Sequence, residues 1–364
     1  MDFNIKSRKL RLVNFMENFQ KLILDKKTFI RREISSGVEG VVYKSELKHT
    51  QFVVKVMNLD EIRDDKAIFL EILKRTPEEL YKLFHTEIIF NKPTFIEIVA
   101  QTLVNQLVLQ KICPNFVLNY YWRFKLNDSL ILESFNEYIN CCTFEEWTEK
   151  LRDIDIWING LFQIMVGLYS LKKYFNMYHA DLHLKNILVY TVKSGGFWKY
   201  TIDGLDYFLP NLGFVFVIND FGFSWIPDKL YINWFRDQTL KYITRSGREF
   251  YDLAVFLRSV LEDSDVKKPK LFKEFLYDNF TKNDLNYTLS KQYYIVNKFK
   301  MTSKYPDINT SFSGDNNTIA TKIKSMFYKL YKQPQNNIID SFSLDIPFNK
   351  QKLYSNFHTF INDF

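Results

Sequence analysis

The spacing of apolar residues changes along the chain, from mainly alternating near the start to mainly helical later. Residues 29–58 place β-branched and alternating apolar positions around two glycines, which predicts a strand, a tight turn and further strands. Helical spacing predicts helices at 60–83, 95–110 and 154–175. Short strands are predicted at 117–124, 129–135, 187–192, 198–202 and 214–218, and a polar loop at 301–318. The pattern predicts an α+β protein with a small β-rich part followed by a larger helical part.

Composition indicates a folded globular chain. Of its 364 residues, 46% are hydrophobic and 25% are charged, a balance that excludes collagen-like, mucin-like and wholly disordered proteins. The longest apolar stretches are shorter than the roughly 20 residues that cross a bilayer. The N-terminus shows no basic and apolar leader of the kind that marks secreted proteins. We therefore expect an intracellular protein without a membrane span.

Charge and cysteine usage add two further expectations. The net charge of +7 is modest, and Lys and Arg outnumber Asp and Glu mainly near the start of the chain. Residues 1–28 are therefore predicted to form a basic N-terminal extension with a solvated helix face, the alternative being a nucleic-acid or membrane patch. The three cysteines and five histidines lack the spacing of metal ligands, which argues against a zinc module or a disulfide scaffold.

Two motifs in the strand-rich part suggest contact with phosphate groups. Segment 35–42 contains Gly37 and Gly40, and glycines at such positions let a hairpin backbone approach a phosphate closely, although glycine pairs are also typical of plain turns. Lys55 lies within the apolar segment 52–56. It either points to solvent or reaches into a cleft, where it would meet phosphate oxygens and a carboxylate partner.

Two further motifs carry acidic and amide side chains after apolar elements. Asp181 precedes Asn186 by five residues in a turn that follows the helix predicted at 154–175. An aspartate there can accept a hydroxyl proton while the asparagine coordinates a divalent cation. Asp220 follows the strand predicted at 214–218 and precedes Phe-Gly, where it can hold Mg²⁺ bridging nucleotide phosphates. A plain turn is the alternative for both motifs.

The order of these four motifs resembles the protein-kinase signature. Segment 163–171 is similar to the helix before a kinase catalytic loop, and segment 252–257 to the buried helix whose aspartate, here Asp252, braces that loop. Residues 197–213 and 112–116 resemble segments of protein kinases from nucleocytoplasmic large DNA viruses. The resemblance covers roughly residues 34–261. It implies a two-lobed, protein-kinase-like fold.

The resemblance also implies domain limits and a function. An N-lobe at 29–135 would bind the nucleotide, and a C-lobe at 136–364 would carry the catalytic loop and the metal-binding strand. The chain would be a serine/threonine protein kinase that uses ATP and Mg²⁺, with Mn²⁺ as an alternative ion, and acts on protein substrates without binding specific nucleic acid. It would work in the host cytoplasm or be packaged in a virion.

Site residues follow from the resemblance position by position. Asp181 would accept the proton, Lys55 would hold the α- and β-phosphates, and Asn186 and Asp220 would bind metal. Glu97 is the first choice of partner for Lys55, with Glu87 as the second. Backbone groups beside the gatekeeper Leu132 would bind adenine. The residues expected around the nucleotide are Ser35, Ser36, Gly37, Val38, Glu39, Gly40, Val42, Lys55, Glu97, Glu133 and Phe135.

Three departures from the kinase pattern leave other functions open. Ala180 stands where protein kinases usually carry Arg, His183 stands where they commonly carry Lys, and no Ala-Pro-Glu follows Asp220. The Asp-Leu-His sequence resembles aminoglycoside and related small-molecule phosphotransferases. The alternatives are therefore a small-molecule kinase and a pseudokinase scaffold, although the filled metal and base positions argue against the latter.

Overall fold

The computed structural model describes residues 3–24, 30–37, 40–58, 93–126, 130–138, 141–226, 250–280 and 318–348. Its helices are α1 (Ile5–Leu24), α2 (Pro93–Leu109), α3 (Phe144–Trp147), α4 (Ile154–Phe175), α5 (Tyr251–Glu262), α6 (Lys270–Asn279) and α7 (Ile319–Tyr331). Its strands are β1 (Arg31–Gly37), β2 (Gly40–Leu47), β3 (Thr50–Asn58), β4 (Asn119–Leu126), β5 (Leu130–Glu137), β6 (Cys141–Thr143), β7 (Ile187–Thr191), β8 (Phe197–Ile202), β9 (Leu205–Pro210), β10 (Phe214–Ile218) and β11 (Ile338–Ser343). The mixed α+β class predicted from the sequence is confirmed.

Five antiparallel strands near the start of the chain form one sheet, in the order β1-β2-β3-β5-β4. Successive side chains in a strand point to opposite faces, so Phe52 and Lys55 of β3 lie on different faces. The face that carries Phe52 packs against α1. The ring centroids of Phe52 and of Phe15 on α1 lie 5.0 Å apart. The face that carries Lys55 meets α2 through Glu97. The sheet is therefore covered by one helix on each side.

Helix α1 is a packed element of this fold. Buried or half-buried side chains at positions 5, 8, 12, 15 and 19 lie three or four residues apart, a spacing that lines one face of a helix. Phe15 and Phe19 are buried on this face, and Arg8 lies on it too with no exposed surface. Lys6 and Lys9 are exposed, whereas Arg8 and Arg11 of the predicted basic segment pair with the buried Glu137.

Helix α4 is the central helix of the second part of the molecule, and its bounds match the predicted helix. It packs against β10, in a three-stranded antiparallel sheet of order β10-β7-β6, and against α7. It is long and apolar enough to cross a bilayer, but 72% of its most apolar stretch is buried inside the protein. That burial is the normal position of a core helix.

A third sheet joins distant parts of the chain. Strand β11 pairs in parallel with β8, and β8 pairs antiparallel with β9. The sequence predicted β8 and β10 but not β9, β11 or α7. The predicted helix at 60–83 and almost all of the predicted loop at 301–318 lie outside the described residues.

Candidate active site

Lys55 lies on β3 at the centre of the five-stranded sheet, opposite Val42 of β2 and Ser134 of β5. Its Nζ is 2.7 Å from Oε2 of Glu97 on α2. The Glu97 side chain is almost fully buried, and Gln101, one helical turn later, donates from Nε2 to its other oxygen at 3.1 Å. Glu97, the first choice of partner, therefore pairs with Lys55, while the alternative Glu87 lies outside the described residues.

Asp220 approaches the same lysine from another element. It follows β10, and its Oδ1 lies 3.6 Å from Lys55 Nζ. Its φ angle of 62° is in the left-handed region, which is uncommon for residues other than glycine and typical of functional turns. Its side chain is 37% exposed, so the carboxylate remains open to a ligand. One ammonium group thus lies between carboxylates from α2 and from the end of β10.

Asp181 and Asn186 are joined in the turn that precedes β7. Asn186 donates from Nδ2 to the backbone oxygen of Asp181 at 2.8 Å and to its Oδ2 at 3.3 Å. Strands β7 and β10 are neighbours, with Ile187 opposite Ile218. Asn186 therefore lies beside the end of β10, and its backbone oxygen accepts a bond from Asn219 N. The structure brings both metal-ligand candidates to the same edge of this sheet.

His183 lies in the same turn. Its Nε2 is 3.5 Å from Asp181 Oδ2, and its Nδ1 accepts a bond from Lys185 N. Burial lowers the pKa of the His183 imidazole. At neutral pH it is therefore an uncharged, polar neighbour of the Asp181 carboxylate.

Asp252 of α5 holds the start of this turn. Its two carboxylate oxygens accept bonds from the backbone N–H groups of His179 and Ala180, both at 2.8 Å. Burial raises the pKa of Asp252 to about 6, and the two N–H donors oppose that effect. Ala180 has a φ of 65°, so the backbone before Asp181 is held in a bend that few residue types adopt readily. The bracing contact implied by the sequence resemblance is present.

The glycine segment lies next to β3. Strands β1 and β2 pair as far as Gly37 and Gly40, and Ser35 and Ser36 are exposed residues of β1. Gly40 has a φ of 151°, and a Cβ there would collide with the backbone oxygen of Val56. Only glycine fits at this position. The predicted residues Val38 and Glu39 lie outside the described residues.

Glu133 and Phe135 do not occupy the predicted adenine site. Both lie inside β5, where Glu133 pairs with Val56 of β3 and with Arg123 of β4. Their backbone groups therefore already belong to the sheet. The Phe135 ring packs 4.7 Å from that of Phe19 on α1, on the face opposite Lys55. The prediction was wrong because β5 extends to Glu137, so the buried Leu132 lies five residues before its end.

Gln101 is a site residue that sequence reasoning missed. It is buried on α2, binds Glu97, and accepts a longer contact of 3.5 Å from Ser134 Oγ on β5. Its spacing of four residues from Glu97 was the available signal, since such residues are neighbours on a helix surface.

No protein-family model matches the chain. "Probable serine/threonine-protein kinase 380R" of Invertebrate iridescent virus 6 is 28% identical over 142 residues, 35% of this chain and 27% of that protein. Protein 019R of Frog virus 3 (isolate Goorha), provisionally named a serine/threonine-protein kinase, is 38% identical over 66 residues, 18% of this chain and 8% of that protein. "Uncharacterized protein 011L" of Invertebrate iridescent virus 3 is 27% identical over 142 residues, 33% of this chain and 18% of that protein. The chain is thus similar in part to viral proteins named as kinases, and it spans about a quarter of their length or less.

Proposed function

We propose that the chain is an ATP-dependent phosphotransferase that transfers the γ-phosphoryl group to serine or threonine hydroxyls of proteins. The observation that carries this proposal is Lys55 between Glu97 and Asp220, with the hydrogen-bonded Asp181 and Asn186 beside the end of β10. The kinase names of the viral relatives favour the same class. The proposal implies two lobes, with the five-stranded sheet and α2 in the first.

Each side chain then has a role that its surroundings permit. Lys55 would hold the α- and β-phosphates, and Glu97 would fix its ammonium group, because a buried carboxylate with a second donor has little freedom to move. Asp181 would orient the acceptor hydroxyl and accept its proton at Oδ2. Asn186 and Asp252 would keep Asp181 in place, the first through its side chain and the second through the backbone of the turn.

The donor groups fit a magnesium ion. Asp220 supplies a partly exposed carboxylate, and Asn186 supplies an amide oxygen while its nitrogen is bound to Asp181. Carboxylate and amide oxygens are the hard ligands that Mg²⁺ prefers, together with water and phosphate oxygens. When bound, the ion would neutralise phosphate charge.

The corrected strand register moves the proposed adenine contact. Ladder pairing between β3 and β5 ends at Glu137, opposite Phe52. Backbone groups that bind adenine would therefore come from the connection between β5 and β6, which starts at Tyr138, rather than from Glu133 and Phe135.

A small-molecule phosphotransferase is the second candidate. The observation that favours it is the His183 ring beside Asp181. An uncharged imidazole there gives the acceptor hydroxyl a neutral polar neighbour, where protein kinases commonly have a positively charged lysine. The two candidates share the reaction and differ only in the acceptor.

A transfer assay tests both candidates together. Purified protein would be incubated with Mg²⁺ and γ-labelled ATP, with casein, histone and basic-protein acceptors in one series and an aminoglycoside panel in the other. Asp181→Asn is the inactive reference, and Asp203→Asn is the matched control because Asp203 is half-exposed on the β8–β9 turn. Label on proteins supports the first candidate, and label on aminoglycosides supports the second. Equal label with wild type and Asp181→Asn would reject both.

A further inference from the structure

Arg8 is a fully buried arginine in α1 whose guanidinium joins three parts of the chain. It forms an ion pair with Glu137, the last residue of β5, at 2.7 Å. It also donates to the backbone oxygens of Pro114 at 2.7 Å and Phe116 at 2.5 Å, in the connection from α2 to β4. Its spacing places it on the apolar face of α1, where a large aliphatic side chain would be expected.

The two carbonyls that Arg8 binds belong to a segment that also supports the candidate active site. Between them, Asn115 accepts a backbone bond from Ile218 N, and Phe116 forms a parallel bridge with Ile218. Ile218 ends β10 two residues before Asp220. The same guanidinium therefore contacts both the end of β5 and the segment that flanks the start of the Asp220 turn.

Stability alone does not explain the buried ion pair between Arg8 and Glu137. Although burial alone would raise the pKa of Glu137, Arg8 and Arg11 hold it below its usual value, so the carboxylate is ionised. A buried ion pair often stabilises a fold no better than apolar residues of the same size. A planar guanidinium can bind a carboxylate and two carbonyls in fixed directions, which neither lysine nor an aliphatic side chain can do.

We propose that Arg8 is a positioning residue for nucleotide binding, which fixes the backbone where β5 ends and the connection to β6 begins. This inference rests on the proposed function, in which that connection contacts adenine. Loosening the end of β5 should weaken ATP binding more than it slows phosphoryl transfer, because Asp181, Asn186 and Asp252 lie on other elements and the segment before Asp220 keeps its own backbone bond from Ile218 to Asn115.

Arg8→Lys tests this proposal with Arg123→Lys as the matched control. Arg123 also pairs with a buried glutamate of β5. That glutamate is Glu133, which lies four residues before Glu137 and so away from the end of the strand. Each glutamate keeps a second arginine after the substitution, Arg11 for Glu137 and Arg31 for Glu133. Arg8→Lys should lose more thermal stability than Arg123→Lys, because Arg8 is fully buried and its two carbonyls would lose their donor, so both variants are assayed at a temperature at which each is folded. Arg8→Lys should raise the KM for ATP about ten-fold with kcat changed less than about three-fold, and Arg123→Lys should leave both near wild type.

A double variant separates positioning from charge balance. In Arg8→Met/Glu137→Gln the carboxylate that Arg8 neutralises is gone, so a folding defect caused by its unpaired charge is relieved. We expect its KM for ATP to stay high, because neither new side chain binds the two carbonyls. A KM restored to the wild-type value would show that Arg8 only neutralises Glu137, and would overturn the proposal.

Hydrogen exchange gives a readout that does not depend on catalysis. The amides of Tyr138 and of β6 should exchange faster in Arg8→Lys than in the wild type, while Arg123→Lys should leave them unchanged. Equal exchange in all three proteins would overturn the positioning role. Faster exchange in Arg8→Lys combined with no ATP binding by the wild type would instead reject the proposed function while keeping the structural role of Arg8.

Discussion

At the scale of single residues, the acidic side chains of Glu97 and Asp220 near Lys55 have different surroundings. Glu97 is buried and bound by Gln101, whereas Asp220 is more exposed and 3.6 Å away. The closer, buried pair fixes the lysine, and the exposed carboxylate is the one available to a cation.

Asp220→Ala should therefore weaken Mg²⁺-dependent ATP binding and abolish transfer. The phosphate charge would lose its metal-mediated compensation, and we expect binding to fall by at least about ten-fold. Titration calorimetry with Mg·ATP measures this directly, and Asp203→Ala serves as the control for loss of a more exposed aspartate. Equal Kd values for the Asp220→Ala and wild-type proteins would remove Asp220 from the metal site.

At the scale of elements, the turn before β7 depends on a buried, uncharged histidine. Burial lowers the pKa of His179 to about 4, from a usual value of 6.5. Its Nε2–H donates to the backbone oxygen of Asn219 at 2.9 Å, which joins this turn to the end of β10. Protonation would charge a group that has no exposed surface.

This pKa predicts a pH dependence with a definite sign. The folded state binds fewer protons at His179 than the unfolded state does. The contribution of uncharged His179 to folding stability is therefore complete above pH 6.5 and is lost as pH falls towards 4. Wild type should thus lose about 2–3 kcal/mol relative to His179→Gln over that range. Asp252, whose raised pKa acts in the opposite direction, cancels in this comparison. Urea unfolding at several pH values would measure the difference, and a pH-independent difference would contradict the assignment.

The same turn predicts that activity does not require phosphorylation. Ala180 is buried and carries no charge, so no cation precedes Asp181 that a phosphate would need to neutralise. Ser224 is also buried, while Thr239, Thr244 and Ser246 lie outside the described residues. Phosphatase-treated and untreated protein should transfer phosphate at the same rate, with mass spectrometry confirming that these residues are unmodified. Loss of most activity after treatment, restored by incubation with ATP, would contradict this prediction.

At the scale of the whole molecule, local patterns predicted more than long-range ones. The bounds of α4 and β10 followed from apolar spacing, and Glu97 was the first choice of partner for Lys55 under the kinase resemblance. The parallel pairing of Ile338 with Phe197 could not be predicted, because it joins residues far apart in the chain. The end of β5 was misplaced because its residues are buried on both faces, so alternation gave no signal of register or length.

The central claim is that this arrangement of residues performs phosphoryl transfer with Asp181 as the base. The most direct measurement is turnover of Asp181→Asn beside the wild type, with ATP affinity determined on the same samples. We expect ATP binding to be nearly unchanged and turnover to fall by about three orders of magnitude or more, because only positioning and proton acceptance are lost. An Asp181→Asn protein that keeps more than about a tenth of wild-type turnover would contradict the account.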